Sequence, residues 1–169
     1  MTVRDELFSL TYGSLVRAIV KETNNIEDAN AKLYKIGENI GNRITDDFVV
    51  HSEKSRFKTL REACDVLVDF SLKHYLGINA QIIDPSDNRC IIRFTDNPIT
   101  RYVKIPPEYD GLIYLTPLLS AIKKSLELLH MSVEVNMVHD MLKNGEYNDI
   151  EIKFLGLKSD SLPNGEYIN

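Results

Sequence analysis

Four histidines, two cysteines and a pair of glycines four residues apart are the features from which chemistry would have to be built. His51, His74, His130 and His139 are scattered, with no H-x-x-x-H or H-E-x-x-H pair to set two imidazoles on one helical face. No metal site is expected. Cys64 and Cys90 lack C-x-x-C spacing and make no disulfide framework. Cys64 falls in the first turns of a predicted helix, where the dipole lowers a thiol pKa. Its neighbours are apolar, however, and a small buried thiol is the ordinary outcome there. Packing, lipid attachment, and a nucleophile paired with a histidine such as His74 stay open for it. Gly37-Glu38-Asn39-Ile40-Gly41 has the outline of a phosphate loop, yet it lies mid-helix and lacks the Lys-Ser/Thr such a loop needs. Asp46 and Asp47 face different sides of a helix, as solvated carboxylates do. No set of side chains is arranged for catalysis, so no enzymatic activity is expected of the chain by itself.

The elements that must position these residues belong to one ordinary globular domain. The 169 residues are 43% hydrophobic and 27% charged, enough to bury a sizeable core. A net charge of -5 provides no general basic surface, so nucleic acid is not an expected partner. The start of the sequence lacks the apolar run of a signal peptide. The most apolar stretch, Gly111 to Leu129, is interrupted by Lys123 and Lys124 and is too short to span a bilayer. A cytoplasmic address is expected.

Helical spacing places Leu7, Leu10, Ser14, Leu15, Ala18 and Ile19 on one stripe of a first helix. Asn24 and Asn25 offer an N-cap for a second, whose stripe is Leu33, Ile36, Ile40, Ile44 and Phe48. Gly37 and Gly41 beside that stripe together cost about 1.5–2 kcal/mol of helix propensity. Close approach of another helix, or of a ligand chain, would offset that cost. Thr59-Leu60-Arg61-Glu62 is a capping box, opening a third helix with Ala63, Val66, Leu67, Phe70 and His74 inward and Gly77 as its stop. The period then changes: Ala80–Ile83 and Arg89–Phe94 flank the turn cluster Asp84–Asn88 and read as a hairpin. Thr116-Pro117 starts a fourth helix, and the alternating runs Met131–Met137 and Ile150–Phe154 are strands. The expected class is α+β: helices packed on one face of a twisted four-stranded antiparallel sheet, as one domain over residues 1–158 with a tail at 159–169.

Several of these words, in order, carry a family likeness. Tyr12-Gly13-Ser14-Leu15-Val16, Ile36-Gly37-Glu38-Asn39-Ile40-Gly41-Asn42-Arg43, Arg61-Glu62-Ala63-Cys64-Asp65-Val66 and Tyr75-Leu76-Gly77-Ile78 are four of them. Asp96-Asn97-Pro98, Leu112-Ile113-Tyr114 and Ser161-Leu162-Pro163-Asn164-Gly165-Glu166 complete the set. Together they resemble the small-subunit family of the trafficking protein particle (TRAPP) complex over nearly the whole chain. The resemblance implies a non-enzymatic core subunit of a vesicle-tethering complex in endoplasmic reticulum to Golgi transport. It also implies dimerisation through the helices with homologous small subunits, or with itself when alone. Through the assembly it implies peripheral membrane association and nucleotide exchange on a Rab-type GTPase.

Two sites follow from the same resemblance. Relatives hold a long acyl chain in an apolar channel, attached to a cysteine just before the third helix. The matching position here is Phe57, directly after Arg56. The channel is expected around Gly37, Ile40, Gly41, Phe57, Cys64, Leu67 and Ser71, with no covalent cofactor. Either Phe57 plugs the mouth of the channel, or a free, non-covalent fatty acid such as palmitate occupies it. Leu162, Pro163, Gly165 and Glu166 match the tail that approaches the GTPase. The rival readings are a stand-alone small-ligand or fatty-acid-binding sensor of the same fold, and an acyl-processing enzyme using Cys64.

Overall fold

The computed structural model describes residues 3–52, 54–143 and 145–158. Asn25 begins the longest element: its Oδ1 accepts the Asp28 amide at 2.7 Å, satisfying one of the first-turn donors. The chain then runs as α2 (Ile26–Ser52), with Glu27 and Asp28 at the positive end of its dipole. Ahead of it stands α1 (Val3–Glu22). After it, α3 (Leu60–Val66), a π-helical turn (Leu67–Leu72) and α4 (Lys73–Leu76) form one unbroken helical run.

The capping box at the head of α3 is present in modified form. Thr59 Oγ1 accepts the Glu62 amide at 3.2 Å, while the Glu62 carboxylate returns to the Lys58 amide and the Lys54 ammonium rather than to Thr59. Gly77 closes α4 in the left-handed conformation (φ 67°), its N–H bonding the Lys73 carbonyl at 3.0 Å, the five-to-one bond of an αL stop, while Ile78 N–H reaches back to the Leu72 carbonyl at 3.0 Å.

β1 (Gln81–Ile83) and β2 (Arg89–Phe94) form the expected hairpin, α5 (Thr116–Leu128) follows with Pro117 in its first turn, and β3 (Met131–His139) and β4 (Asn148–Leu157) form a second hairpin. All pairs are antiparallel in the order β1-β2-β4-β3, so β4 of the second hairpin pairs with β2 of the first and joins the two. Alternation sends Cys90, Ile92, Phe94, Ile150 and Ile152 into the core. The opposite face is ionic. Arg93 forks onto Asp149 at 2.7 and 2.8 Å, His139 Nδ1 reaches the same carboxylate at 3.0 Å, and Arg89 binds Glu151 at 2.6 Å. The Arg93 bonds, with help from His139, hold the buried Asp149 carboxyl below the usual aspartate range.

The helices stack outward from the sheet: α5 on β3 and α3 on β2, then α2 on α5 and α1 on α2. Two stripes differ from expectation. In α2 the buried line is Ala29, Leu33, Gly37, Gly41, Thr45 and Phe48, so the glycines are its centre and Ile40 lies 40% exposed at its margin. In α1 the inward residues are Ser9, Val16 and Ile19, with Tyr12 partly buried, whereas Leu7, Leu10 and Leu15 face outward at 64%, 57% and 41% exposure. α1 is apolar on several sides, and polar anchors choose the inner one: Tyr12 donates to the Tyr114 carbonyl at 2.7 Å and Ser9 to the Ile99 carbonyl at 3.4 Å. His74, expected inward, is exposed and stacks on Phe70 at 5.0 Å.

The α2–α5 contact is the tightest in the fold. A Cβ on Gly37 would strike Ser120 Oγ and the backbone of Pro117, whose Cα would lie 2.7 Å away. One on Gly41 would come within 2.7 Å of the Ala121 carbonyl oxygen. Backbone cannot yield as a side-chain tip can, so overpacking should exceed the roughly 1 kcal/mol that alanine gains in helix propensity. Gly37→Ala is expected to lower stability by about 2 kcal/mol, a fall of about 4–8 °C in Tm, measured by thermal unfolding of the two proteins.

An acyl-sized apolar cavity

Beside the close contact of α5 with α2 at the glycines lies a cavity of about 440 Å³, within the range of small-ligand sites. α1 supplies Phe8, Thr11, Tyr12 and Leu15; α2 supplies Ile40, Ile44, Thr45 and Phe48; α5 contributes Leu118, Ala121, Ile122, Ser125 and Leu126. The remaining wall is α3 and the π-helical turn, through Ala63, Val66, Leu67, Ser71 and Leu72, with Tyr75 and Leu76 beyond. A π turn carries one more residue than an α turn and pushes its segment out of register, as such turns often do at binding sites.

The lining is carbon for an electrostatic reason as well as a compositional one. Six hydroxyls border it, and five already donate elsewhere. Thr11 bonds the Leu7 carbonyl at 2.7 Å, Tyr12 that of Tyr114 at 2.7 Å, Thr45 that of Gly41 at 2.8 Å and Ser125 that of Gly41 at 3.2 Å. Tyr75 bonds Asp47 Oδ2 at 2.6 Å. Burial pushes the Tyr12 phenol far up, and burial together with the Asp47 bond takes Tyr75 up to about 12, so neither ionises near neutrality. Ser71, in the π turn, makes no hydrogen bond among the described residues and is the free polar point on the wall.

Ile40, Phe57, Leu67 and Ser71, four of the residues expected at a channel, border the cavity. Phe57 is 4% exposed and packs on Phe48 at 6.0 Å between ring centres. Gly37, Gly41 and Cys64 are elsewhere. The glycines serve the helix contact, and Cys64 lies fully buried beneath α3, facing Cys90 of β2. The hydrogen bond to Cys90, and then burial, push the Cys64 thiol far up. Neither sulfur borders the cavity, and His74 is exposed, so the two are not brought together as a nucleophile and base. Leu162, Pro163, Gly165 and Glu166 lie outside the described residues. No group of three metal-binding side chains occurs among the described residues. Sequence reasoning missed the α1 wall, although Phe8, Thr11, Tyr12 and Leu15 recur at the three-and-four spacing of one helical face.

The domain thus sets helices over an antiparallel sheet around an apolar cavity whose titratable wall groups, the phenols of Tyr12 and Tyr75, both stay neutral near neutrality. The chain belongs to the Transport protein particle (TRAPP) component family, whose model matches residues 8–154. It is 32% identical over 166 residues to "Trafficking protein particle complex subunit 3" of Dictyostelium discoideum, covering 96% of this chain and 89% of that one. It is 34% identical to the subunit 3 homolog of Caenorhabditis briggsae, covering 95% of this chain and 90% of that one. Among solved structures it resembles a trafficking protein particle complex subunit 3 from Naegleria fowleri covalently bound to palmitic acid. The TM-score is 0.84 and the identity 25%, over 94% of this chain and 99% of that one.

Buried free thiols should resist modification. In the native protein Cys64 and Cys90 are expected to stay unreacted with a water-soluble thiol reagent over minutes, and both to react on denaturation. Rapid native reaction of Cys64 would restore it as a functional nucleophile.

Proposed function

We propose that this chain is a non-enzymatic core subunit of a vesicle-tethering complex acting between endoplasmic reticulum and Golgi, contributing through its assembly to Rab-type GTPase nucleotide exchange. The observation that carries this reading is the end-to-end match to proteins named as complex subunit 3. The outward leucines of α1 support pairing with homologous small subunits, since obligate interfaces resemble a core cut in half. In this reading the protein is cytoplasmic and reaches membranes peripherally, through the complex. No helix among the described residues is long and apolar enough to cross a bilayer.

Leu162, Pro163, Gly165 and Glu166 are the GTPase contact in this reading. A carboxylate beside the nucleotide phosphates repels them and competes for their magnesium, favouring release. Glu166→Ala is expected to slow exchange severalfold in the reconstituted complex while leaving assembly intact. Unchanged exchange rates would remove the tail from the mechanism.

The cavity takes one saturated fatty acyl chain, held without a covalent bond. The palmitate of the Naegleria structure is covalent; the wall here holds Phe57 and no sulfur. Each methylene moved from water onto such a wall contributes about 0.8 kcal/mol, so reversible binding suffices. Native mass spectrometry of the delipidated chain with palmitate is expected to show one bound fatty acid that is lost on denaturation. With palmitoyl-CoA, Phe57→Cys is expected to gain a hydroxylamine-labile adduct that the parent chain lacks: the thiolate attacks the acyl carbonyl and the CoA thiol departs. No retained palmitate in the parent chain would mean that Phe57 closes the channel. A chain that binds palmitate yet copurifies with no related small subunit would favour a stand-alone lipid sensor.

A further inference from the structure

β3 stands at the edge of the sheet, and the second half of its inward face lacks cover. Met131 and Val133 are buried, but Val135 and Met137 are only half-buried, although their partners across the ladder, Ile152 and Ile150, are fully buried. Beside them runs a groove of about 630 Å³ that shares no wall residue with the acyl-sized cavity. α2 forms its far wall through Ala31, Tyr34, Lys35 and Glu38, and Leu119 of α5 lies between wall and strand. Asn30 fixes one end: its side-chain amide donates to the Gly111 carbonyl at 3.0 Å, and its Oδ1 accepts the Ile113 N–H at 3.1 Å. We propose that this groove takes an extended, acidic segment of another polypeptide, added to β3 as a fifth strand.

A sheet edge presents a row of N–H and C=O groups, and an extended backbone is what meets the whole row. Many proteins blunt such edges with bulges. Here the irregularities fall between Ser132 and Val133 and between Met137 and His139, so they delimit the edge instead of interrupting it. Residues 133–137 between them keep a regular antiparallel register with β4, and the groove borders residues 135–137 of that stretch. A strand added about 4.8 Å outside β3 turns every second side chain inward, beside Val135 and Met137 and toward Leu119 and the small Ala31. Apolar residues at alternate positions fit that floor. Charge selects the rest. Lys35 is exposed and in no ion pair among the described residues, and Lys123 holds its ammonium 6.0 Å from the ring centre of Tyr34. Together they outnumber Glu38, the one carboxylate bordering the groove among the described residues. A chain of net charge -5 thus keeps a locally positive groove at its free edge, which favours an acidic partner.

The test selects short random peptides displayed on phage against the full chain, then measures the affinity of the enriched sequences as synthetic peptides. Enriched peptides are expected to alternate apolar with polar residues and to carry net negative charge. N-methylation of a bound peptide is expected to abolish binding at alternate residues only, since a strand turns every second N–H toward its neighbour. Lys35→Glu is expected to weaken binding about tenfold. Ala31→Phe, at an exposed position where a ring occupies the groove, is expected to abolish it, with an unchanged Tm as the control for folding. Peptides with apolar residues at three-and-four spacing would mean a docked helix and overturn the added strand. Enrichment of basic peptides would overturn the charge selection. Binding unaltered in both variants would put the peptides elsewhere on the molecule and overturn the site. Protection of β3 amides from hydrogen exchange by self-association of the peptide-free chain would give the edge to a second copy, which also overturns it. Absence of any peptide binding tighter than about 1 mM would overturn the proposal outright.

Discussion

Backbone contact between α2 and α5 at Gly37 and Gly41 is the constraint on which the rest of the structure depends. With no side chains at the crossing, α2 lies against Pro117, Ser120 and Ala121 as closely as backbone allows. Ser125 Oγ then donates to the Gly41 carbonyl at 3.2 Å and fixes the axial register. Beside the crossing, the larger residues Ile40, Ile44 and Phe48 of α2 and Ile122 and Leu126 of α5 border the cavity together. The propensity lost by placing glycine in mid-helix is recovered as close packing at one end and returned as volume at the other.

Much of the architecture was legible in the residues themselves. The Asn25 cap, the Thr59 cap, the Gly77 stop and Pro117 at the head of α5 are local signals, and local chemistry settles them. The four strands and their antiparallel sense followed from alternation and short turns. Which side of a helix faces inward is a different kind of question, and there the reading slipped. α1 offers Leu7, Leu10 and Leu15 outward and mixes Ser9 and Tyr12 with Val16 and Ile19 inward, so a stripe drawn through the leucines misidentifies much of the buried face. Long-range hydrogen bonds from Tyr12 and Ser9 decide the matter, and such bonds leave no trace in periodicity. The π turn is likewise invisible, because Leu67–Leu72 is spaced as any helix would be.

The same distinction governs the site. Gly37, Gly41 and Cys64 suit a channel because small residues leave room, yet smallness has two uses. At Gly37 and Gly41 it admits another helix; at Cys64 it admits β2, whose Cys90 sits opposite. Phe57 is the contrary case. A large ring at the position where the resemblance places an acylated cysteine looks like a plug, but it lies against Phe48 and becomes part of the wall while the interval beyond it persists. Size alone reports neither filling nor emptiness.

An apolar cavity and an apolar outer surface are usually separate burdens on a soluble protein, one left dry inside, the other wet outside. In this chain they share residues. Phe8 and Leu15 belong to both, because α1 is held by hydroxyl bonds at Tyr12 and Ser9 and not by its leucines. Polar anchoring frees the helix to present hydrocarbon outward, and the anchor that faces the cavity has its only proton committed, so the inner wall stays without charge. A helix anchored by its leucines would have closed the cavity and left a polar surface, which neither a lipid nor a partner subunit could use. The inner cavity and the outer apolar surface thus persist together along α1, around the residues that anchor it.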